Sequence, residues 1–222
     1  MSEQVHPYCR CLYYAANALQ QIHYAHPARE ATLLDCLNEV QHMAERVKRL
    51  EQSILELVNL APAPVQAVIQ GLQALRGVAH ISAVTIAAEL GNISSRFESA
   101  RKLMGYSGVF PSEDSSGQRI RRKSITKSGN AHLRRIVVES AWSYRHRPSI
   151  GARLRKRQEG VPAQITEIAW KAQNRLHKRY MKLMAAGKDQ RKVMTAVGRE
   201  LMGFIWAIGV KAEAACMQQN AA

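Results

Sequence analysis

Carboxylates are scarce in this chain. Of its 222 residues 17 are Asp or Glu against 32 Lys or Arg, and the aspartates number three: Asp35, Asp114 and Asp189. None of them follows a stretch that reads as a buried strand. A two-metal nuclease core, which needs several carboxylates converging on Mg²⁺, is therefore not easily assembled from these residues. Four cysteines, Cys9, Cys11, Cys36 and Cys216, lack metal-ligand spacing and read as reduced thiols, so no metal site is expected. There is no phosphate-gripping Walker loop and no zinc-binding helix motif. No run approaches the roughly 18 consecutive apolar residues of a membrane span. The start Met1-Ser2-Glu3-Gln4-Val5-His6-Pro7 also lacks the charged and apolar regions of a secretory leader, and the expected location is cytoplasmic. Period-two alternation is nearly absent, which predicts a mostly α fold.

What the chain does have is concentrated positive charge. Between Gln118 and Arg157 stand 13 Lys or Arg and one acid, Glu139, a net +12 of the formal +15. A stripe of one sign is the footprint expected for a polyanion, because Lys and Arg displace condensed counterions from a phosphate backbone. Directly before it lies Ser115-Ser116-Gly117, followed by Arg119, Arg121, Arg122, Lys123 and Lys127. A serine that attacks phosphorus needs an exposed hydroxyl, a permissive backbone and neighbouring cations to stabilise the pentavalent phosphorane. Ser115 and Ser116 are placed to have all three, although Ser-Ser-Gly is also a common loop sequence. The remaining candidates for phosphate contact are Arg134 and Arg135.

Upstream, Leu33, Cys36, Val40, Met43, Val47, Leu50, Ile54 and Leu57 repeat at alternating spacings of three and four, an apolar heptad seam on one long helix. β-Branched Val40, Val47 and Ile54, alternating with Leu50 and Leu57, suit a two-stranded parallel coiled coil. Leu37, Ala44 and Val58 widen the stripe, which suits a core helix of an antiparallel bundle equally well. Pro62 and Pro64 end this helix and mark the boundary between an N-terminal helical and coiled-coil segment, 1–64, and a second domain, 65–222. A short helix is also expected over Ala15–Ile22. In the second domain, helices over Val65–Leu75 and Ile81–Leu90 joined by Arg76-Gly77-Val78-Ala79-His80 resemble a helix-hairpin-helix, whose turn either holds a phosphate or packs internally. A helix over Phe97–Met104 ends at Gly105. Asn130 is a good N-cap for the next helix, Pro162 opens another, and a last amphipathic helix after Gly187 turns Val193, Val197, Leu201, Phe204 and Ile208 inward.

The ordered series Leu75-Arg76-Gly77-Val78, Thr85 to Gly91, Arg101 to Pro111, Ser115-Ser116-Gly117, Ile125 to Asn130 and Leu133-Arg134-Arg135 resembles the C-terminal transposase domain of the 110/116/902 family of bacterial insertion-sequence transposases. The similarity is strongest over Leu72–Arg147. Members of that family place a RuvC-like domain with a DEDD carboxylate set first, then a coiled coil, then this domain. They recombine DNA through a C-terminal-domain serine that joins covalently to DNA, guided in characterised members by a structured bridge RNA. Carried onto this sequence, the resemblance implies Ser116, rather than Ser115, as the nucleophile, and Arg119, Arg122, Lys127 and Arg134 at nucleic-acid phosphates. The heptad segment matches the family's coiled coil in position.

The DEDD set has no counterpart in these 222 residues. The resemblance therefore implies Mg²⁺ only through such a domain, on a separate polypeptide, with this chain inactive on DNA without it. The expected partners are DNA, a structured guide RNA, a second or further copy of the chain and that DEDD polypeptide, with no membrane. A different class of function is also consistent with the residues: a non-catalytic dimeric nucleic-acid-binding protein derived from a truncated transposase.

Overall fold

The computed structural model describes residues 18, 19, 22, 25–113 and 122–220. The expected helix over Ala15–Ile22 falls largely outside them. Two compact units are present, Met1–Leu57 and Val58–Ala222.

The first unit is dominated by α1, Pro27–Leu60, which runs 34 residues and continues three residues into the second unit. Proline suits its first position, where no amide partner is needed. Much of its seam is exposed among the described residues: Val40, Met43, Val47, Leu50 and Leu57 stand 41–66% exposed, and Leu37 is its one buried residue. The helix stops before Pro62, where the Gln66 side-chain amide donates to the Asn59 and Ala61 carbonyls at 3.1 and 2.8 Å.

The second unit is mostly α, as the sequence predicts. It comprises α2 (Ala63–Gln73), α3 (His80–Leu90), α4 (Ile93–Arg96), α5 (Ala100–Ser107), α6 (Ala131–Ala141), one 3₁₀ turn (Trp142–Arg145), α7 (Ala152–Gln158), α8 (Ala163–Ala185) and α9 (Gln190–Asn220). The pair α2–α3 forms the expected helical hairpin. At the centre lies α9, against which α2, α4, α5, α6 and α8 all pack. Val193, Met194, Val197, Leu201, Met202, Ile205 and Ile208 of α9 are buried among Leu72, Leu90, Leu103, Leu133, Val137, Ala169 and Leu176. By length and composition α9 would suffice to cross a bilayer, but half of its most apolar window is buried inside the fold.

Two details differ from the sequence reading. The stretch before α6 is not all loop, because Pro111–Glu113 (β1) and Arg122–Ile125 (β2) pair antiparallel with Pro111 opposite Ile125 and a bulge before Glu113. Strands this short carry no period-two pattern. Phe97 does not begin a helix either. It is buried between two separately capped helices: the Asn92 side chain accepts from the Ser95 amide at the start of α4, and the Ser99 side chain accepts from the Lys102 amide at the start of α5.

Among the described residues one charged side chain is buried in the core. Glu213 is 3% exposed and accepts from the Ile93 and Ser94 amides at 2.7 and 2.8 Å, holding the start of α4 on α9. Replacement Glu213→Ala leaves both amides without an acceptor and should lower stability by about 3 kcal/mol. Glu213→Gln keeps one acceptor oxygen and should lose about half as much, as read by urea unfolding followed by circular dichroism.

Candidate nucleic-acid interface

The functional candidates gather around the β1–β2 hairpin, whose connecting segment 114–121 carries Ser115, Ser116, Arg119 and Arg121. Those four residues lie outside the described residues. Arg122 and Lys123 supply the first half of β2.

The base of the hairpin is built by backbone approach. The Thr126 amide donates to the Phe110 carbonyl at 2.8 Å, Lys127 to Gly108 at 3.2 Å and Asn130 to Tyr106 at 2.9 Å, so residues 126–130 run back along 106–110. Gly108 and Gly129, with φ of 67° and 115°, allow this crossing, because a β-carbon on either would overlap the Ser128 or Tyr106 carbonyl. Lys127 has a φ of 56°, unusual for a residue with a side chain, and stands exposed at the turn. Asn130 then starts α6. Its carbonyl oxygen accepts from the Leu133 amide at 2.8 Å, while its amide nitrogen donates to the Glu89 carboxylate at 2.5 Å and the Tyr106 hydroxyl at 3.3 Å. Arg96 lies over the Tyr106 ring, 4.6 Å from its centre. One asparagine thus ties α3, α5 and α6 together at the hairpin.

The cations divide into two groups. Arg134 is half-buried and donates to the Ser107 carbonyl at 3.1 Å, so its guanidinium is already engaged with the end of α5. Arg157 donates to the Val78 carbonyl, and burial lowers its pKa, opposed by the neighbouring Tyr144. In contrast, Lys127, Arg135, Arg145, Arg147, Arg153, Arg155 and Lys156 are exposed. Among the described residues none of these seven is ion-paired with a carboxylate. The turn between α2 and α3 is itself engaged: the Ala74 and Val78 carbonyls accept from Gln158 and Arg157, and Arg76 donates to the Arg147 carbonyl at 2.7 Å.

A further set of cations was not linked to the hairpin by the sequence reading. Arg191, Lys192 and Arg199 of α9 line a cleft of about 640 Å³ whose other wall includes Ser124 and Ile125 of β2. Arg191, Thr195 and Arg199 follow one another at four-residue intervals, the available signal, but lie more than 60 positions from β2 in sequence. Among the described residues no three His, Cys, Asp or Glu side chains are grouped to hold a metal ion, and the described donor set does not fit Mg²⁺.

His80 opens α3 with its Nε2 buried and without a hydrogen-bond partner, and burial lowers its pKa below 6.5. The unfolded chain therefore binds the proton more readily. The stability that neutral His80 contributes is present above pH 6.5 and is lost as the pH falls through the lower folded-state pKa. The melting temperature of the chain should drop between about pH 7.5 and about pH 5, and His80→Asn should flatten that part of the profile. An unchanged slope in the variant would place the effect on another group.

Residues 69–155, from the middle of α2 through α7's first half, match the family described as "Transposase IS116/IS110/IS902 family". Over 197 residues the chain is 47% identical to "Putative transposase y4qE" of Sinorhizobium fredii, covering 87% of this chain and 46% of that protein. It is 32% identical over 116 residues to "Probable family 20 transposase" of Pseudomonas aeruginosa, covering 52% of this chain and 32% of that protein. It is 26% identical over 179 residues to "Transposase for insertion sequence element IS1533" of Leptospira borgpetersenii, covering 77% of this chain and 49% of that protein. The chain spans less than half the length of each of these relatives.

Proposed function

From a chain whose residues 69–155 carry the transposase domain of the IS116/IS110/IS902 family, we infer a role in transposition of an insertion sequence: binding DNA and presenting a serine to it. The observation that carries this reading is the hairpin. Its connecting segment holds Ser115 and Ser116 between two strands, and the exposed, unpaired cations Lys127 and Arg135 stand just beyond β2. Ser116 is the preferred nucleophile. Its Oγ forms a bond to phosphorus, the bond from phosphorus to a deoxyribose oxygen breaks, and the proton lost from the serine leaves with that oxygen. Arg119, Arg121, Arg122 and Lys123 would stabilise the charge that accumulates on the phosphorane. Since the described residues do not fit Mg²⁺, metal binding belongs in this proposal to a DEDD carboxylate set outside them, and the serine step is written without it. The same cations suit the backbone of a structured guide RNA.

Binding should fall steeply with salt, about a thousandfold between about 50 and about 200 mM if six or more phosphates are contacted. Arg121→Ala, Arg122→Ala and Lys123→Ala together should flatten that dependence. Incubation of labelled DNA with the chain and a DEDD-bearing partner, followed by denaturing electrophoresis, should trap a covalent adduct that Ser116→Ala removes and Ser115→Ala does not. An adduct lost only with Ser115→Ala moves the nucleophile by one residue. Salt-dependent binding with no adduct under any condition favours the non-catalytic dimeric binder instead.

The exposed seam of α1 supports self-association through that helix. Five apolar side chains at heptad spacing left 41–66% exposed cost free energy in water that a second copy would recover. Val47→Asp with Ile54→Asp should convert a dimer or larger oligomer into a monomer in sedimentation velocity. A monomer at micromolar concentration before substitution would show that the seam has another occupant.

A further inference from the structure

We propose that the cleft between β2 and the first turns of α9 is a phosphodiester-backbone site whose charge is supplied by Arg191, Lys192 and Arg199, cations outside the basic run 118–157. The proposal rests on the nucleic-acid-binding reading above and extends it to a helix outside the matched family span.

Arg191, Thr195 and Arg199 share one face of α9, with Lys192 beside them, and Ser124 and Ile125 face them across the cleft. Arg191 and Lys192 are exposed and Arg199 is half-exposed. Among the described residues no carboxylate lines this space and none of the three cations is ion-paired. The nearest acids in sequence are already engaged. Asp189 accepts from the Arg191 and Lys192 backbone amides at 3.0 and 3.2 Å, and Glu200 is held by Arg175 and Arg179 at 3.1 and 3.2 Å. Three cations concentrated against an open cleft repel one another, and a bound anion removes that repulsion.

The character of the cleft selects the ligand. Among the described residues no aromatic ring lines it, so these residues offer bases no stacking platform. The Thr195 hydroxyl donates to the Arg191 carbonyl at 3.0 Å, so the hold on a ligand falls chiefly to the charge-assisted hydrogen bonds of the two guanidiniums and the ammonium. From residue 191 to 199 α9 rises about 12 Å, which is longer than a single phosphate group. A strand backbone matches that row, whereas a single nucleotide would occupy one end of it. β2 starts one residue after the segment that carries Ser115 and Ser116, so a strand seated against β2 is held by the same hairpin as the proposed nucleophile.

The test uses the full chain and the variant Arg191→Ala/Lys192→Ala/Arg199→Ala, with fluorescence anisotropy on labelled single-stranded DNA, duplex DNA and an RNA hairpin across a salt series. The melting temperature should be unchanged, and the slope of log affinity against log salt should fall by about two in at least one arm. The arm that responds identifies the source of the backbone. Arg191→Ala/Lys192→Ala, confined to the exposed first turn, should give about half the change and serves if the triple variant does not fold. A photo-crosslinking residue in place of Thr195 should also label the responding nucleic acid. If the unmodified chain binds steeply with salt while both variants keep its slope in every arm, the cleft is not a site and the broader reading survives. If the unmodified chain shows no salt-dependent binding, both fall together.

Discussion

Burial of α9 is the constraint on which the second unit depends. At about 100° per residue its buried side chains, Val193, Met194, Val197, Leu201, Met202, Ile205 and Ile208, cover roughly half of the helix circumference. That arc is too wide for one partner helix, and α2, α4, α5, α6 and α8 divide it. Each fully buried Leu, Ile or Met side chain contributes about 1.5–3 kcal/mol, so α9 is the largest single source of cohesion. Thr195 and Arg199 sit just beyond the edge of that arc, and Arg191 lies on the same side before the buried side chains begin. The helix that organises the core therefore also presents cations beside the hairpin, on a backbone fixed by packing.

The hairpin obtains its own rigidity differently. Residues 106–110 and 126–130 lie close enough that Gly108 and Gly129 admit no side chain, and Asn130 converts the crossing into the start of α6 while holding Glu89 and Tyr106. Two strands leaving such a base have their directions set by α3, α5 and α6 together. A nucleophile needs this kind of support, because a misplacement of about 1 Å can cost a hundredfold in rate.

Much of this was legible in the sequence, and what escaped it has identifiable causes. Helices long enough to repeat an apolar period were readable: Val193, Val197, Leu201 and Ile208 are buried as expected, Phe204 packs at the core's edge, and Asn130 caps α6. Gly105 was expected to end a helix that Gly108 ends, because the choice between two glycines three residues apart is made by the backbone pairing with 126–130. The strands were hidden by their brevity. Arg134 and Arg157 look like any other cation in a basic run, and only the fold shows that the Ser107 and Val78 carbonyls receive them. The cleft on α9 depends on a contact with β2 across more than 60 residues, which no local pattern encodes. For α1 the periodicity allowed a bundle core or a coiled coil, and the described residues leave Val40, Met43, Val47, Leu50 and Leu57 exposed.

Several acids of the second unit are engaged by the fold itself. Glu213 is given to two amides, Glu89 to Asn130, Glu200 to Arg175 and Arg179, Asp189 to the first turn of α9, and Glu98 to Lys102. Most of these contacts are to backbone or amide groups, which use a carboxylate without consuming a cation. Among the described residues the seven exposed cations of the basic segment and the three of the cleft are without a carboxylate partner. In a chain of net +15 that arrangement has a self-repulsion cost, and the cost is lowest when the counterions are phosphates. Folding engages these five acids at caps, joints and ion pairs, and among the described residues it leaves the exposed cations of the basic segment without a carboxylate partner.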